Sequence, residues 1–269
     1  MNRIQKSMVA AVAAVMAVGL SGCGSFVERV NDSVMGESAG SGELVSLGLK
    51  KFDETEFDSV RVNTMAMTVQ VERSEGSEAS AELFVDKAIK NEFTYSAVLN
   101  GRTLELKVDE ETTAASKRSF EKQQGQRRLV VKLPAKSLEN VSVRNEFGEV
   151  EAVGLAAERL DIGVEAGEIR VREVNAEMDL QAGAGDIEAD GIVLRHDLKA
   201  VTEAGQVRVK LSEQPEAAKL MLGSEMGEVK ADLDGVDYTI RSRNAVVGTI
   251  GSGGPKLHLS TELGSVTLE

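Results

Sequence analysis

One phrase returns seven times between Val141 and the C-terminus: an apolar residue, a glycine, most often an acid, then valine or isoleucine. The glycines are Gly148, Gly167, Gly185, Gly205, Gly227, Gly248 and Gly264, separated by 19, 18, 20, 22, 21 and 16 residues. Self-similarity at a nearly fixed period marks a repeat architecture, in which each copy buries its apolar face only against its neighbours. No other property of the chain narrows its fold as far.

Aligned on the glycines, the flanking residues fall into columns. Seven before stand Val141, Leu160, Met178, Leu198, Leu220 and Leu257; five before, Val143, Ile162, Leu180, Ala200, Leu222 and Leu259. Immediately before stand Phe147, Ala166, Ala184, Ala204, Met226, Val247 and Leu263; two after, Val150, Ile169, Ile187, Val207, Val229, Ile250 and Val266. Within each arm the spacing is two, the period of a strand with one face buried. Across the glycine it is three, so the glycine is a corner or bulge where a missing Cβ permits φ > 0.

Two architectures fit paired short strands: a stack of β-hairpins, or a parallel solenoid with one coil per repeat. A hairpin would put the pre-glycine residue in its two-residue loop, where Asn or Asp is favoured. That column is wholly apolar, which suits an inward-pointing corner. The outward residues agree with coils: three after the glycine the order is Glu151, Arg170, Glu188, Arg208, Lys230. Stacked about 4.8 Å apart, alternating signs would meet as cross-strand pairs. The expected fold is therefore all-β: a single-stranded parallel β-helix or β-solenoid with coils of about 20 residues, right-handed by default. The copy at Gly248 is irregular, with Arg241 and Arg243 at core spacing, and reads as a coil bulged by an insertion around 244–247.

Upstream, Val60, Val62, Thr64, Ala66, Val69 and Val71 repeat the pattern with Met67 in the glycine position, so the solenoid begins near Phe57. Strand-like arms follow at 81–85, 93–98, 104–108 and 129–133, with a turn at Asn100-Gly101. Their spacing is too uneven to assign each to a coil.

Residues 1–22 read as a signal peptide. Arg3 and Lys6 precede an apolar run, Met8 to Leu20, too short to span a bilayer. Leu20-Ser21-Gly22-Cys23 resembles the bacterial lipobox, which implies a lipid on Cys23, the only cysteine; the alternative is an ordinary secretory signal. Residues 23–43 then form the lipidated cysteine and a flexible linker, 44–134 an irregular N-terminal part with a polar loop at 110–128, and 135–269 the regular solenoid. That places the protein in the cell envelope on the extracytoplasmic side, and at the outer membrane if the host is Gram-negative.

The net charge of −13 argues against nucleic acid as a partner. Aromatic residues make up 3% of the chain and tryptophan is absent, which leaves little for stacking on sugars. Acids beside the corner glycines, among them Glu149, Glu168, Asp186 and Glu228, form a candidate cation-binding edge for Ca²⁺; the alternative is that each carboxylate faces water. The loop carries Lys117, Arg118, Lys122, Arg127 and Arg128, a candidate contact for an anionic partner, or else a solvated loop. His196 and His258 sit alone in their segments, with no third-residue spacing that links them to an acid and a nucleophile, so no catalytic residue, resident metal or cofactor is expected. The last strand, Val266-Thr267-Leu268, ends without a cap and is a candidate edge for self-association or partner docking.

From Phe57 to Glu269 the chain resembles the bacterial putative-adhesin family, a domain of unknown function. The likeness rests on Val60-Arg61-Val62, on Leu129–Pro134 with Val141-Ser142-Val143, and on Gly148-Glu149-Val150 with its copies; Met67 departs from the pattern. The resemblance implies a β-solenoid and carries no functional residue. The expected function is an envelope lipoprotein whose solenoid binds or scaffolds an envelope protein or glycan without catalysis. A polysaccharide-active enzyme and an envelope stress-sensing accessory protein are the alternatives.

Overall fold

The computed structural model describes residues 43–87, 89–111 and 127–269. Cys23, Lys117, Arg118 and Lys122 therefore lie outside the described residues. In chain order the strands are β1 (Leu44–Asp53), β2 (Ser59–Ala66), β3 (Thr68–Arg73), β4 (Glu78–Asp86), β5 (Phe93–Asn100), β6 (Thr103–Glu110) and β7 (Arg127–Leu133). The repeat region continues with β8 (Leu138–Phe147), β9 (Val150–Val153), β10 (Ala156–Ala166), β11 (Ile169–Arg172), β12 (Asn175–Ala184), β13 (Ile187–Ile192), β14 (Leu198–Ala204) and β15 (Val207–Leu211). It ends with β16 (Ala218–Met226), β17 (Val229–Ala231), β18 (Asp237–Arg241), β19 (Ala245–Ile250), β20 (Lys256–Leu263) and β21 (Val266–Leu268). One helical turn, Lys90–Glu92, interrupts them. Among the described residues no helix is long and apolar enough to cross a membrane.

Each repeat contributes a long strand to one sheet and a short strand to the other, with the glycine corner between. The sheets hold 11 and 10 strands and enclose one core. Ile169, Ile187 and Val207 pile in a single row with Val150 on one side and Val266 on the other, all at most 1% exposed. A second row in the long-strand sheet runs Leu104, Val60, Val141, Leu160, Met178, Leu198, Leu257, Leu220. The solenoid expectation holds, and Val60 and Ala66 fall in register with Val141 and Phe147 as a first coil should.

Coil order in space departs from coil order in sequence at both ends. The coil β6/β7 stacks outside β2/β3, so the first coil of the chain is second in the rod. At the other end β20/β21 lies between β14/β15 and β16/β17. The C-terminal coil is thus an inner coil, with Val266 facing Val207 on one side and Val229 on the other. It offers no open edge, which corrects the expectation built on Val266-Thr267-Leu268. The copy around Gly248 is not a bulged coil either. β18 and β19 form an antiparallel hairpin, and β19 runs antiparallel along the outer side of β16. At the N-terminal end β5 pairs antiparallel with β6, and β4 and β1 pair antiparallel beyond β7.

Outward charges follow this spatial order. Arg170 faces Glu151 and Glu188, and Glu188 faces Arg208. Arg208 then faces Thr267, and Thr267 faces Lys230. The inserted coil separates two cations that sequence order would have stacked. Like charges directly opposite each other in a sheet are destabilising.

Candidate functional site

The corner edge, where each coil passes from the long strand through its glycine to the short one, concentrates what is unusual in this surface. Gly185 shows why the column is glycine. Its φ is +145°, and a Cβ there would sit far inside 3.0 Å of the Gly167 carbonyl oxygen in the next coil. The stack leaves no room for a side chain at any rotamer. Met67 stands where this column begins and is buried.

Three residues before each corner runs an inward column that the spacing of apolar residues does not reveal: Thr64, Asn145, Val164, Ala182, Thr202, Thr261 and Ser224. Thr202 donates to the Gly185 carbonyl at 2.9 Å, Thr261 to that of Gly205 at 2.9 Å, and Ser224 to that of Gly264 at 2.8 Å. Asn145, 2% exposed, donates to the carbonyls of Met67 and Phe147 and accepts from the Thr64 hydroxyl. The Thr202, Thr261 and Ser224 hydroxyls and the Asn145 amide each satisfy a carbonyl at a corner of the adjoining coil, so these side chains bind coil to coil at the bend. A polar residue at strand spacing three before the glycine is the signal that marks them.

The pre-glycine residues form one register row: Ala66, Phe147, Ala166, Ala184, Ala204, Leu263, Met226. They do not point inward as the column pattern suggests. Backbone turning at the corner rolls them toward the surface, where Leu263 is 38% and Met226 is 70% exposed. The result is an apolar ridge along one edge of the rod. On its long-strand side stand Glu146, Glu165, Glu203, Glu262 and Glu225, with Met65 and Gly183 at the two remaining positions. On its short-strand side stand Glu149, Glu168, Asp186, Gln206, Ser265 and Glu228.

The two flanks differ in how they are neutralised. Glu149 and Glu168 both bind the Arg170 guanidinium, the latter at 2.6 Å. Asp186 accepts the Gln206 backbone N–H at 2.7 Å, and Glu228 accepts from Arg243 at 3.0 Å. Each of the four expected cation ligands is thus taken by a protein donor. Among the described residues no three His, Cys, Asp or Glu side chains form a group that could hold a metal ion. Burial pushes the Glu168 carboxyl up, Arg170 pulls it back, and Glu149 and Asp186 add repulsion. Glu146 is raised by burial and then by Glu165. Glu203, Glu262 and Glu225 sit exposed on three adjacent coils at the Met226 end, with no cationic partner among the described residues.

The basic loop divides differently from its sequence boundary. Arg127 and Arg128 belong to β7. Arg127 forms a buried ion pair with Glu110 at 2.8 Å and lies over the Phe93 ring, so it is a structural cation and not a loop contact. Arg128 lies over Phe84. His196 sits exposed in the connection before β14. A shallow groove of about 250 Å³ on the short-strand sheet is lined by Glu188, Asp190, Arg208, Lys210 and Glu269. Glu188 and Arg208 in its walls belong to the outward charge row described above.

Residues 137–269 match the model of a family described as Toastrack DUF4097. No curated protein matches the chain. Among solved structures, one described as a putative cell adhesion protein from Clostridium sporogenes is 11% identical with a TM-score of 0.51, covering 84% of this chain and 99% of that one. A putative adhesin from Bacteroides fragilis is 12% identical with a TM-score of 0.37, covering 84% and 97%. A structure described as a putative lipid binding protein from Parabacteroides distasonis is 12% identical with a TM-score of 0.35, covering 86% and 98%. The first of these shares the fold.

Proposed function

The chain belongs, through residues 137–269, to the Toastrack DUF4097 family, and on that premise we propose that it is a non-catalytic, adhesin-like binding module of the cell envelope. Its anchor is a lipid on Cys23, which follows the lipobox-like Leu20-Ser21-Gly22, and residues 24–42 tether the rod to the membrane. Several acyl chains, at ~0.8 kcal/mol per buried CH₂, hold such an anchor stably. The working surface is the corner ridge at its Met226 end. One observation carries this reading: exposed Met226 and Leu263 lie beside three stacked glutamates that no cation among the described residues neutralises. A partner that offers apolar side chains interleaved with lysine or arginine would cover the ridge and relieve the repulsion together.

A peptide of alternating lysine and leucine is the probe. Its binding to the full chain, read by fluorescence anisotropy, should weaken as salt rises and fall by roughly tenfold on reversing Glu225 and Glu262 to lysine. Equal binding of a glutamate–leucine peptide, or indifference to the reversal, would remove the ridge as the site. Mass spectrometry of the mature N-terminus tests the anchor separately. Acyl groups on Cys23 are expected, and a Cys23→Ser chain should move to the soluble fraction.

A further inference from the structure

A sheet ends in two edge strands, and each presents unpaired N–H and C=O groups that template another strand unless blunted. Among the described residues there are four such edges, and three are blunted. β1 loses register between Ser46 and Leu49 and carries Lys50 and Lys51. β17 is three residues long and includes Lys230. β18 has five residues, a register break between Tyr238 and Ile240, and charges at Asp237 and Arg241. β5 has none of these devices. It is eight residues long, FTYSAVLN, pairs with β6 without a break from Phe93↔Glu110 to Asn100↔Thr103, and carries no charged residue. Val98 is 52% and Leu99 38% exposed.

We propose that β5 pairs antiparallel with β5 of a second copy of this chain, joining two rods through their long-strand sheets. Electrostatics favour this edge over the rest of the surface. Copies with a net charge of −13 repel wherever acids meet. Behind β5, however, Glu105 is bound to Arg61 at 2.7 Å, Asp109 to Lys107 at 2.8 Å and Glu110 to Arg127 at 2.8 Å. The strand and its support form neutral ground on an acidic molecule.

The backbone fixes the register. Glu111 donates its N–H to the Glu92 carbonyl at 2.7 Å, so even-numbered residues of β5 bond to β6. The N–H and C=O groups of Phe93, Tyr95, Ala97 and Leu99 then point away from β6. Pairing centred on Ser96 sets Phe93 against Leu99 and Tyr95 against Ala97 of the second copy, large against smaller, on the core-facing side. Thr94 meets Val98 on the outer side. The free groups close about eight main-chain hydrogen bonds, within the roughly ten of a typical specific interface. Phe93, Tyr95 and Ala97 already pack against the core, so the new strand extends an existing face.

Cysteine cross-linking tests the register. Ser96 would face its own symmetry mate in a non-hydrogen-bonded pair at a Cα separation of about 4.5 Å, within disulfide range. Under mild oxidation the full chain with Ser96→Cys should become a covalent dimer. Thr94→Cys alone should not, but should cross-link when mixed with Val98→Cys; the unchanged chain, with Cys23 alone, is the control. Light scattering of the unchanged chain should give twice the monomer mass. Ala97→Pro, which removes only an outward N–H, should halve it while the far-ultraviolet spectrum is retained. A monomer mass for the unchanged chain, a doubled mass that survives Ala97→Pro, or equal cross-linking of Ser96→Cys and Thr94→Cys would each overturn the pairing. So would capture of Ser96→Cys by a different protein in place of itself.

Discussion

Replacing Gly185 by alanine adds one methyl group at the middle of the corner stack, and its cost follows from two sources. The first is conformational: φ of +145° lies where L-residues are strained by about 1–3 kcal/mol. The second is the collision with the Gly167 carbonyl, which is backbone and cannot rotate away. Relief requires the two corners to part. That strains the bonds Gly167 N to Ala184 O at 2.8 Å and Ile169 N to Asp186 O at 3.0 Å, each worth about 1 kcal/mol net. The sum is about 3–5 kcal/mol, at the upper end of single substitutions. Gly101→Ala is the matched control: its φ is +59°, and nothing lies within 4 Å of the added atom, so its cost is about 1–2 kcal/mol. Urea unfolding followed by circular dichroism measures both. If Gly185→Ala falls within about 1 kcal/mol of Gly101→Ala, the coils are not in contact at their corners and the stacking argument fails.

Thr202→Val keeps the shape of a 1%-exposed side chain and removes its bond to the Gly185 carbonyl; since Val164 occupies the same column, the expected loss is only about 1–2 kcal/mol in the same urea assay. Stability should also depend on pH in two opposing ways. Glu146 and Glu168 are raised above 4.5 by burial first, so the folded state holds their protons more tightly and stability rises as pH falls toward that value. Asp58 is the reverse case: its hydrogen bond from Arg102 holds the carboxyl at about 2, against 3.8 ordinarily. Its contribution is complete above 3.8 and disappears as pH falls toward about 2. Thermal melts should therefore show a maximum on the acid side of neutrality, and Glu146→Gln should flatten the rise from pH 7.

The rows Ile169–Ile187–Val207 and Val141–Leu160–Met178 are legible in the sequence because parallel coils place each side chain over its equivalent, so column and row coincide. The first coil is legible despite Met67 for the same reason. Coil order is not. Leu220 and Leu257 are chemically equivalent seats beside Leu198, and apolar spacing cannot say which one takes it. The outward charges carry the missing information, since Arg208 followed by Lys230 breaks the alternation that Glu151, Arg170, Glu188 and Arg208 keep. At the candidate site, spacing identifies the ridge residues but gives them the wrong side. Period two predicts faces only while the backbone stays extended, and the corner glycine ends that condition. Arg127 escaped in another way: a cation at the end of a polar loop reads as solvated, and only the fold brings Glu110 and Phe93 to it.

The rearranged ends follow from one requirement. A rod of identical coils has two terminal faces, each with an exposed core row and two open strand edges, and simple sequential winding does nothing to close them. Here the chain overshoots with β16/β17, turns back through the β18–β19 hairpin along the outside of β16, and fills the space it left with β20/β21. Its C-terminal strand is thereby paired on both sides instead of fraying at the tip. The other end repeats the device with β6/β7 laid outside β2/β3 and antiparallel strands beyond. Antiparallel hairpins suit this purpose because a two-residue turn lets the chain cover its own edge, whereas another parallel strand needs a whole coil. The closure leaves Thr267 between Arg208 and Lys230, and among the described residues it leaves β5 as the one long, regular, uncharged edge.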